Sequence, residues 1–188
     1  MLDWSNSPPP EASDYGYRLV RTPAYRTLRG ICLAHDIVGT RTHFYKSRTK
    51  PCLGLDCPEC QEGLPWRWHG YLPLLILPSK ERVILEITAQ AAEQLTALAS
   101  GYRTLRGLEV TAARPSQKPN GRVVLQARPN GTPPDHLPLE PDVKTILLHI
   151  WGLDDQPLRD NGQAKGYTHV IPAPKQPDTL PIHPSANP

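Results

Sequence analysis

The chain has little of several things, and each scarcity excludes something. Its 188 residues contain one phenylalanine and one methionine, and hydrophobic residues make up 38%. With so few aromatics the RNP1 pattern is absent, which excludes the aromatic-dense sheet of an RNA-recognition motif. No apolar run approaches the ~20 residues that a membrane helix needs. No phosphate-cradling P-loop and no G-x-S-x-G elbow occur. A zinc deaminase would carry His-x-Glu followed by Pro-Cys-x2-Cys; there is no His-x-Glu, and Pro51-Cys52 is followed by four residues before the next cysteine. The expectation is therefore not an enzyme. The first residues, MLDWSNSPPP, lack the charged and apolar regions of a signal peptide, so the expected compartment is the cytoplasm.

What the chain has in excess is proline, 23 residues concentrated near the ends. Residues 1–17 and 154–188 lack apolar periodicity and read as a disordered arm and a disordered Pro-rich tail, the tail being a possible docking segment for a protein partner. The folded domain is then residues 18–153. Net charge is only +3, but its distribution is uneven. From Arg18 to Lys50 there are eight Lys or Arg and one acid, Asp36, and from Gly101 to Arg128 six bases against Glu109. Two basic stretches on a nearly balanced chain point to a surface facing a polyanion, although scattered solvated arginines give the same counts.

Three of the four cysteines and a histidine crowd into HFYKSRTKPCLGLDCPEC, residues 43–60. Cys57 and Cys60 form a C-x2-C turn that aims two thiolates at one ion, and Cys52 adds a third. A structural zinc is tetrahedral with four Cys or His ligands, so one more donor is required. His43 is the nearest; Cys32, His35 and His69 are alternatives that strand pairing could bring close. Two disulfides would need an oxidising compartment. A redox C-x2-C would open a helix, which QEGLPW after Cys60 does not favour.

Between these features the chain alternates as β-strands. A first strand is expected within residues 25–39, around Ile31 and Leu33. A second is PWRWHGYLPLLIL, with Trp66, Trp68, Leu72, Leu74 and Ile76 on the core face and Arg67, His69 and Tyr71 on the other. Pro73 demands an edge or a bulge there. ERVILEIT is a third strand. Thr88 caps a helix over residues 89–100 whose apolar side is Ala91, Leu95, Leu98 and Ala99. LEVTAARP and RVVLQAR flank a Pro119-Asn120-Gly121 turn as a hairpin, and residues 142–151 form a last helix. YRTLRG at 25–30 recurs letter for letter at 102–107, read as similar geometry at two strand starts. Three strands, a helix and two strands is the order of a five-stranded OB-fold barrel. The zinc loop and the residue 114–122 turn then occupy the two connections that OB-folds use on oligonucleotides.

Barrel order, early histidine, three cysteines and terminal C-x2-C together resemble the zinc-containing single-stranded DNA-binding proteins of the T-even phage type. The resemblance covers residues 25–128 and implies a zinc subdomain beside an OB-fold, with zinc on His43, Cys52, Cys57 and Cys60. The spacing is tighter here, and that family's acidic tail is missing, residues 154–188 carrying four acids and three bases. The stretch from 40 to 71 also resembles uncharacterised bacterial proteins with the same W-R-W-H-G-Y arrangement. The residues themselves supply a binding chemistry, because single strands need cations for phosphates and flat rings for bases. Arg41, Lys46, Arg48 and Lys50 surround Phe44 and Tyr45; Arg67 and Tyr71 follow; Arg114, Lys118 and Arg122 form the second basic loop. The expected partner is single-stranded DNA or RNA, with DNA favoured and little sequence preference. A zinc-stabilised protein-interaction module is the alternative.

Overall fold

The computed structural model describes residues 16–45, 48–131 and 136–153. All of them fall in the first of two compact units, 1–156 and 157–188. Most of the expected arm and all of the expected tail lie outside the described residues. Tyr17, at the end of that arm, is buried against the fold.

The organising element is β5, Trp66–Ile76, eleven residues long. Along one edge it pairs antiparallel with β6, Arg82–Thr88. Its other edge is shared by two strands laid end to end: β2, Leu28–Cys32, against its last third, and β3, Val38–Tyr45, against its first half. Between the pairs Cys32↔Leu74 and Val38↔Tyr71, residues 33–37 face only Leu72 and Pro73, so three extra residues bulge out. Pro73 sits at that bulge, its carbonyl accepting from Leu33 N (2.9 Å) where a regular ladder would also demand the N–H it lacks. The first strand expected within residues 25–39 is thus β2 alone, ending where the proline requires a break, and β3 is a further strand that starts at the end of that range and runs into the expected zinc loop.

β7 (Leu108–Ala113) pairs with β2, and β8 (Val124–Pro129) pairs with β7 as the expected hairpin. Two short strands complete eight: β4 (Arg48–Pro51), which turns back on β3, and β1 (Arg18–Arg21), which lies parallel to β6. Among the described residues the protein is mainly β, a mixed eight-stranded sheet with three helices. The barrel expected from the sequence does not close: the path runs β1-β6-β5-β2-β7-β8, and β8 does not pair back. The reason is physical. The free edge of β6, whose N–H and C=O groups closure would need, is taken by β1 in the register Arg18↔Val83 to Arg21↔Glu86. A side chain bridges the end of β1 to the β7–β8 hairpin, Arg114 Nε donating to the carbonyl of Thr22 (2.9 Å).

Period-2 alternation gives the sheet two faces, and each acquires a helix. On one, Leu72, Leu74, Val83, Leu85, Val110 and Leu125 pack with Ala91, Ala92 and Leu95 of α2, Ala89–Ala99. Thr88 caps α2, its hydroxyl accepting from Ala91 N (3.4 Å). Leu98, expected on the buried side, is exposed because α2 reaches the sheet's edge strand there. On the other face, Ile31, Leu33, Tyr71 and Ile84 are covered by Val143, Ile146 and Leu147 of α3, Val143–Ile150. Each such side chain contributes about 1.5–3 kcal/mol on burial. Asp142 caps α3 by accepting from Lys144 N (3.1 Å) and Thr145 N (3.2 Å). The Thr145 hydrogen bonds hold its carboxyl below the usual range.

Candidate metal centre and basic surface

The far end of β5 extends beyond both helices, and the β3–β4 hairpin is built against it. Register places His43 between Trp66 on β5 and Lys50 on β4. Past Pro51 one more bond, Cys52 N to Arg41 O (2.8 Å), holds Cys52 beside the hairpin. A 3-10 turn over Gly54–Asp56 then reverses the chain, and Cys57 becomes the N-cap of α1, Pro58–Gln61, with proline in the first helical turn where its missing N–H costs nothing. One helical turn carries Cys60 back to the same side, and Gly63, at φ +74, ends the knuckle in the left-handed conformation glycine tolerates.

The result is a four-donor cluster, His43, Cys52, Cys57 and Cys60, whose ligand atoms all lie within 4.8 Å of one another. Cys60 Sγ is 3.5 Å from Cys52 Sγ and 3.3 Å from His43 Nε2. A tetrahedral ion with metal–sulfur bonds of about 2.3 Å and metal–nitrogen bonds of about 2.0 Å has edges of about 3.5–3.8 Å, so the set fits a metal ion with soft N/S ligands. His43 is 1% exposed, and its Nδ1 lies 3.3 Å from the carbonyl of Pro65. That contact assigns the proton to Nδ1 and leaves the Nε2 lone pair facing the thiols, the outer-shell arrangement metal-binding histidines use. The hydrogen bond with Cys52, followed by burial, pushes Cys60 up to about 11.

The alternative fourth donors are all engaged elsewhere. Cys32 is fully buried, its thiol donating to Ala34 O (3.3 Å), and burial pushes it up to about 12. His35 meets Thr104 Oγ1 (2.8 Å) and His69 meets Thr42 Oγ1 (2.6 Å). All four cysteines are free thiols, and 3.5 Å is far beyond a disulfide's ~2.05 Å.

The expected nucleic-acid contacts divide. Arg41, His43 and Tyr45 alternate onto one face of β3. There the Arg41 guanidinium lies over the Trp66 ring at 4.4 Å, and Lys50 Nζ lies over Tyr45 at 5.0 Å. Lys50 also reaches Glu59 of α1 (3.2 Å), tying the knuckle to the hairpin. Arg67 is exposed on the opposite face. Lys118 and Arg122 are exposed on the β7–β8 turn, and their side chains make no hydrogen bond or ion pair among the described residues. Lys46 and the side chain of Arg48 lie outside the described residues.

Two assignments are corrected. Tyr71 is 0% exposed and cannot stack on a base: α3 covers it, Trp151 meets it edge-on at 5.6 Å, and burial raises its hydroxyl above the ordinary tyrosine value. Arg114 is half-buried and spends its guanidinium on the carbonyls of Thr22 and Gly121, so it braces the loop instead of offering a free cation. The converse error concerns Trp66, expected in the core but 50% exposed, and Phe44 is 63% exposed. No local pattern distinguishes Trp66 from Trp68, which packs on the core; only the length by which β5 overhangs α2 does. Arg21 was missed altogether. It binds Glu86 (2.7 Å) and also donates to Thr49 of β4, so the hairpin and the β7–β8 turn meet at consecutive residues of one strand end, Arg21 and Thr22.

No family model, curated protein or solved structure matches this chain. Among the described residues, no helix is long and apolar enough to cross a membrane.

Proposed function

We propose that this protein binds single-stranded nucleic acid, DNA in preference to RNA, with little sequence selectivity, and that a structural zinc on His43, Cys52, Cys57 and Cys60 holds the binding hairpin in shape. The observation that carries the reading is the convergence of the two basic loops on Arg21 and Thr22. A flexible anionic strand lying across that point meets the β3–β4 hairpin on one side, with Arg67 on one of its faces and Arg41 and Lys50 on the other, and Lys118 and Arg122 on the far side. Trp66 and Phe44 join Tyr45 as flat surfaces, each worth about 1–3 kcal/mol per stacked base. In this reading β2, β5, β6, β7 and β8 with α2 form an OB-fold-like core held open by β1. The resemblance to zinc-containing phage single-strand binders supports the same conclusion. The protein acts as a binder and not an enzyme, in the reducing cytoplasm where thiolates keep a metal.

Fluorescence anisotropy with labelled single-stranded DNA, single-stranded RNA and duplex across a salt series tests this. Preference for single strands, with affinity falling at a log–log slope of about −0.7 per neutralised phosphate, is the expected result. Joint replacement of Lys118 and Arg122 by alanine reduces that slope without altering the fold.

A second reading has its own observation. Leu55, at the knuckle tip, is 98% exposed, with Leu53 beside it. Exposed leucines on a metal-rigid turn suit an apolar pocket on a protein partner. Absence of oligonucleotide binding at low salt favours this interaction module, with the tails as further docking segments.

A further inference from the structure

Away from the knuckle, the outer face of β2, β7 and β8 carries a charged group that the binding reading does not use. Glu109 on β7 is buried, and two arginines from the neighbouring strands close on it. Arg29 of β2 donates through Nε and Nη2, both at 2.7 Å. Arg128 of β8, directly opposite in register, donates through Nε (3.0 Å) and Nη2 (2.8 Å). One carboxylate balances one guanidinium, so the group keeps a net positive charge. Each guanidinium has five N–H donors in a fixed fork. Each arginine has spent two, and its Nη1 edge meets no other acceptor among the described residues. Strands hold both arginines, so their geometry is set before any ligand arrives.

These arginines, with Thr111 and Gln126, a cross-strand pair on the same face, line an open groove of about 490 Å³ that reaches over the edge strand β8 to Leu98 of α2 on the opposite face. Leu98 is the apolar helix residue left exposed at the sheet's edge. A groove with fixed cationic donors, a hydroxyl, an amide and one apolar wall suits a ligand that is anionic at one end and flat and weakly polar at the other. We propose that this groove binds a nucleoside phosphate, with the phosphate on the free Nη1 edges of Arg29 and Arg128 and the base or sugar against Leu98. The same chemistry is offered by a free nucleotide and by a nucleotide within a bound strand. In the second case the proposal rests on the single-strand reading and extends its footprint across the sheet.

The test uses the full chain, with Gln126→Glu to place a negative charge in the groove while leaving the Arg29–Glu109–Arg128 group intact, and Leu98→Ser to remove the apolar wall. Deoxyadenosine monophosphate and inorganic phosphate are titrated while amide NMR shifts are followed, and single-stranded DNA of increasing length is titrated by anisotropy. A free-nucleotide site predicts shifts at Thr111, Gln126 and Arg128, binding weakened at least about tenfold by Gln126→Glu, and an effect of Leu98→Ser on the nucleotide but not on phosphate. A strand-borne nucleotide predicts no response to the monophosphate, but an affinity that rises with strand length in the wild type and stops rising earlier in Gln126→Glu. If strands of every length fail to bind, the single-strand reading falls while the nucleotide titration still decides the groove. The proposal is overturned if phosphate binds as well as the nucleotide, or if neither the nucleotide nor the length series responds to Gln126→Glu.

Discussion

The two ends of β5 are held in different ways. From Tyr71 to Ile76 the strand lies between α2 and α3 with apolar side chains on both faces, and nothing but packing is needed to keep it there. At Trp66 and Arg67 it runs past the core, and with its neighbours, the β3–β4 hairpin and the knuckle, it presents Phe44, Leu53, Leu55 and Trp66 to solvent. A segment that leaves its large apolar residues outside gains little order by burying them; beyond the β3–β5 and β3–β4 ladders, polar ties such as Lys50 to Glu59 and, in the proposed function, a metal on the four-donor cluster would hold that end. One strand therefore spans a core stable in itself and an appendage stable on condition.

The largest expected effect breaks that contrast directly. Chelation, or Cys57→Ser, is expected to abolish binding of about one metal equivalent and to collapse amide protection across residues 40–64, while β2, β6 and β7 stay protected in hydrogen exchange. Protection lost uniformly would mean that the two ends form one cooperative unit. Next in size, Leu74→Ala is expected to cost about 2–5 kcal/mol, read as a lower melting temperature of the whole unit with metal content unchanged. Gly39→Ala probes the boundary. Gly39 and Gly70 face each other in register, and the Trp68 indole lies so close that an added Cβ would come within 1.9 Å of it. Overpacking of this kind costs about 1–3 kcal/mol, and here it is expected to appear both as lower stability and as looser metal binding.

How legible these parts are in the sequence follows the range of the interactions that make them. The metal cluster is visible because its three cysteines are joined by one short loop, and His43 reaches them through a single hairpin. Both main helices and the β7–β8 hairpin are visible for the same reason, since caps and turns are local. Tyr71 shows the limit. Alternation assigns it to the face opposite Leu72, as observed, but that face is covered by α3, some seventy residues later, and no local pattern announces a cover. β1 is four residues of unremarkable alternation whose partner lies beyond the knuckle, so open barrel and closed barrel look alike in sequence. The repeated hexamer teaches the same lesson: Leu28 and Leu105 both pack on the α2-side core, yet Leu28 to Gly30 lie within β2, while the second copy is a turn that ends in Gly107 at φ +86 before β7 begins.

Smaller effects sharpen the contrast from the functional side. Trp66→Ala is expected to weaken single-strand binding by about 1–3 kcal/mol with little change in melting temperature, the opposite of Leu74→Ala. The Arg29 hydrogen bonds, then those of Arg128, hold the Glu109 carboxyl below its ordinary range. A depressed carboxyl contributes stability that is present above the unfolded-state value, about 4.3, and is lost as pH falls through the folded value. Glu109→Gln is therefore expected to flatten the acid limb of the stability curve below about pH 4.3, and to leave metal content untouched.

β1 also sets an order of events. Arg21 and Glu86 are 65 residues apart in the chain, whereas the β5–β6 and β7–β8 ladders close over short turns. Loop-closure entropy makes so distant a pairing slow relative to local ones, so β1, like the still more widely separated β2–β7 pair, docks after the β5–β6 and β7–β8 ladders have formed. Until it does, neither the hairpin nor the β7–β8 turn has its contact with Arg21 or Thr22. During synthesis β1 is among the first parts of the fold to be made and among the last to find its place, so the surface on which the two basic loops converge exists only once the chain is complete through the β7–β8 turn. A cut in the backbone between Arg21 and Leu28 would leave the sheet standing and take that surface away.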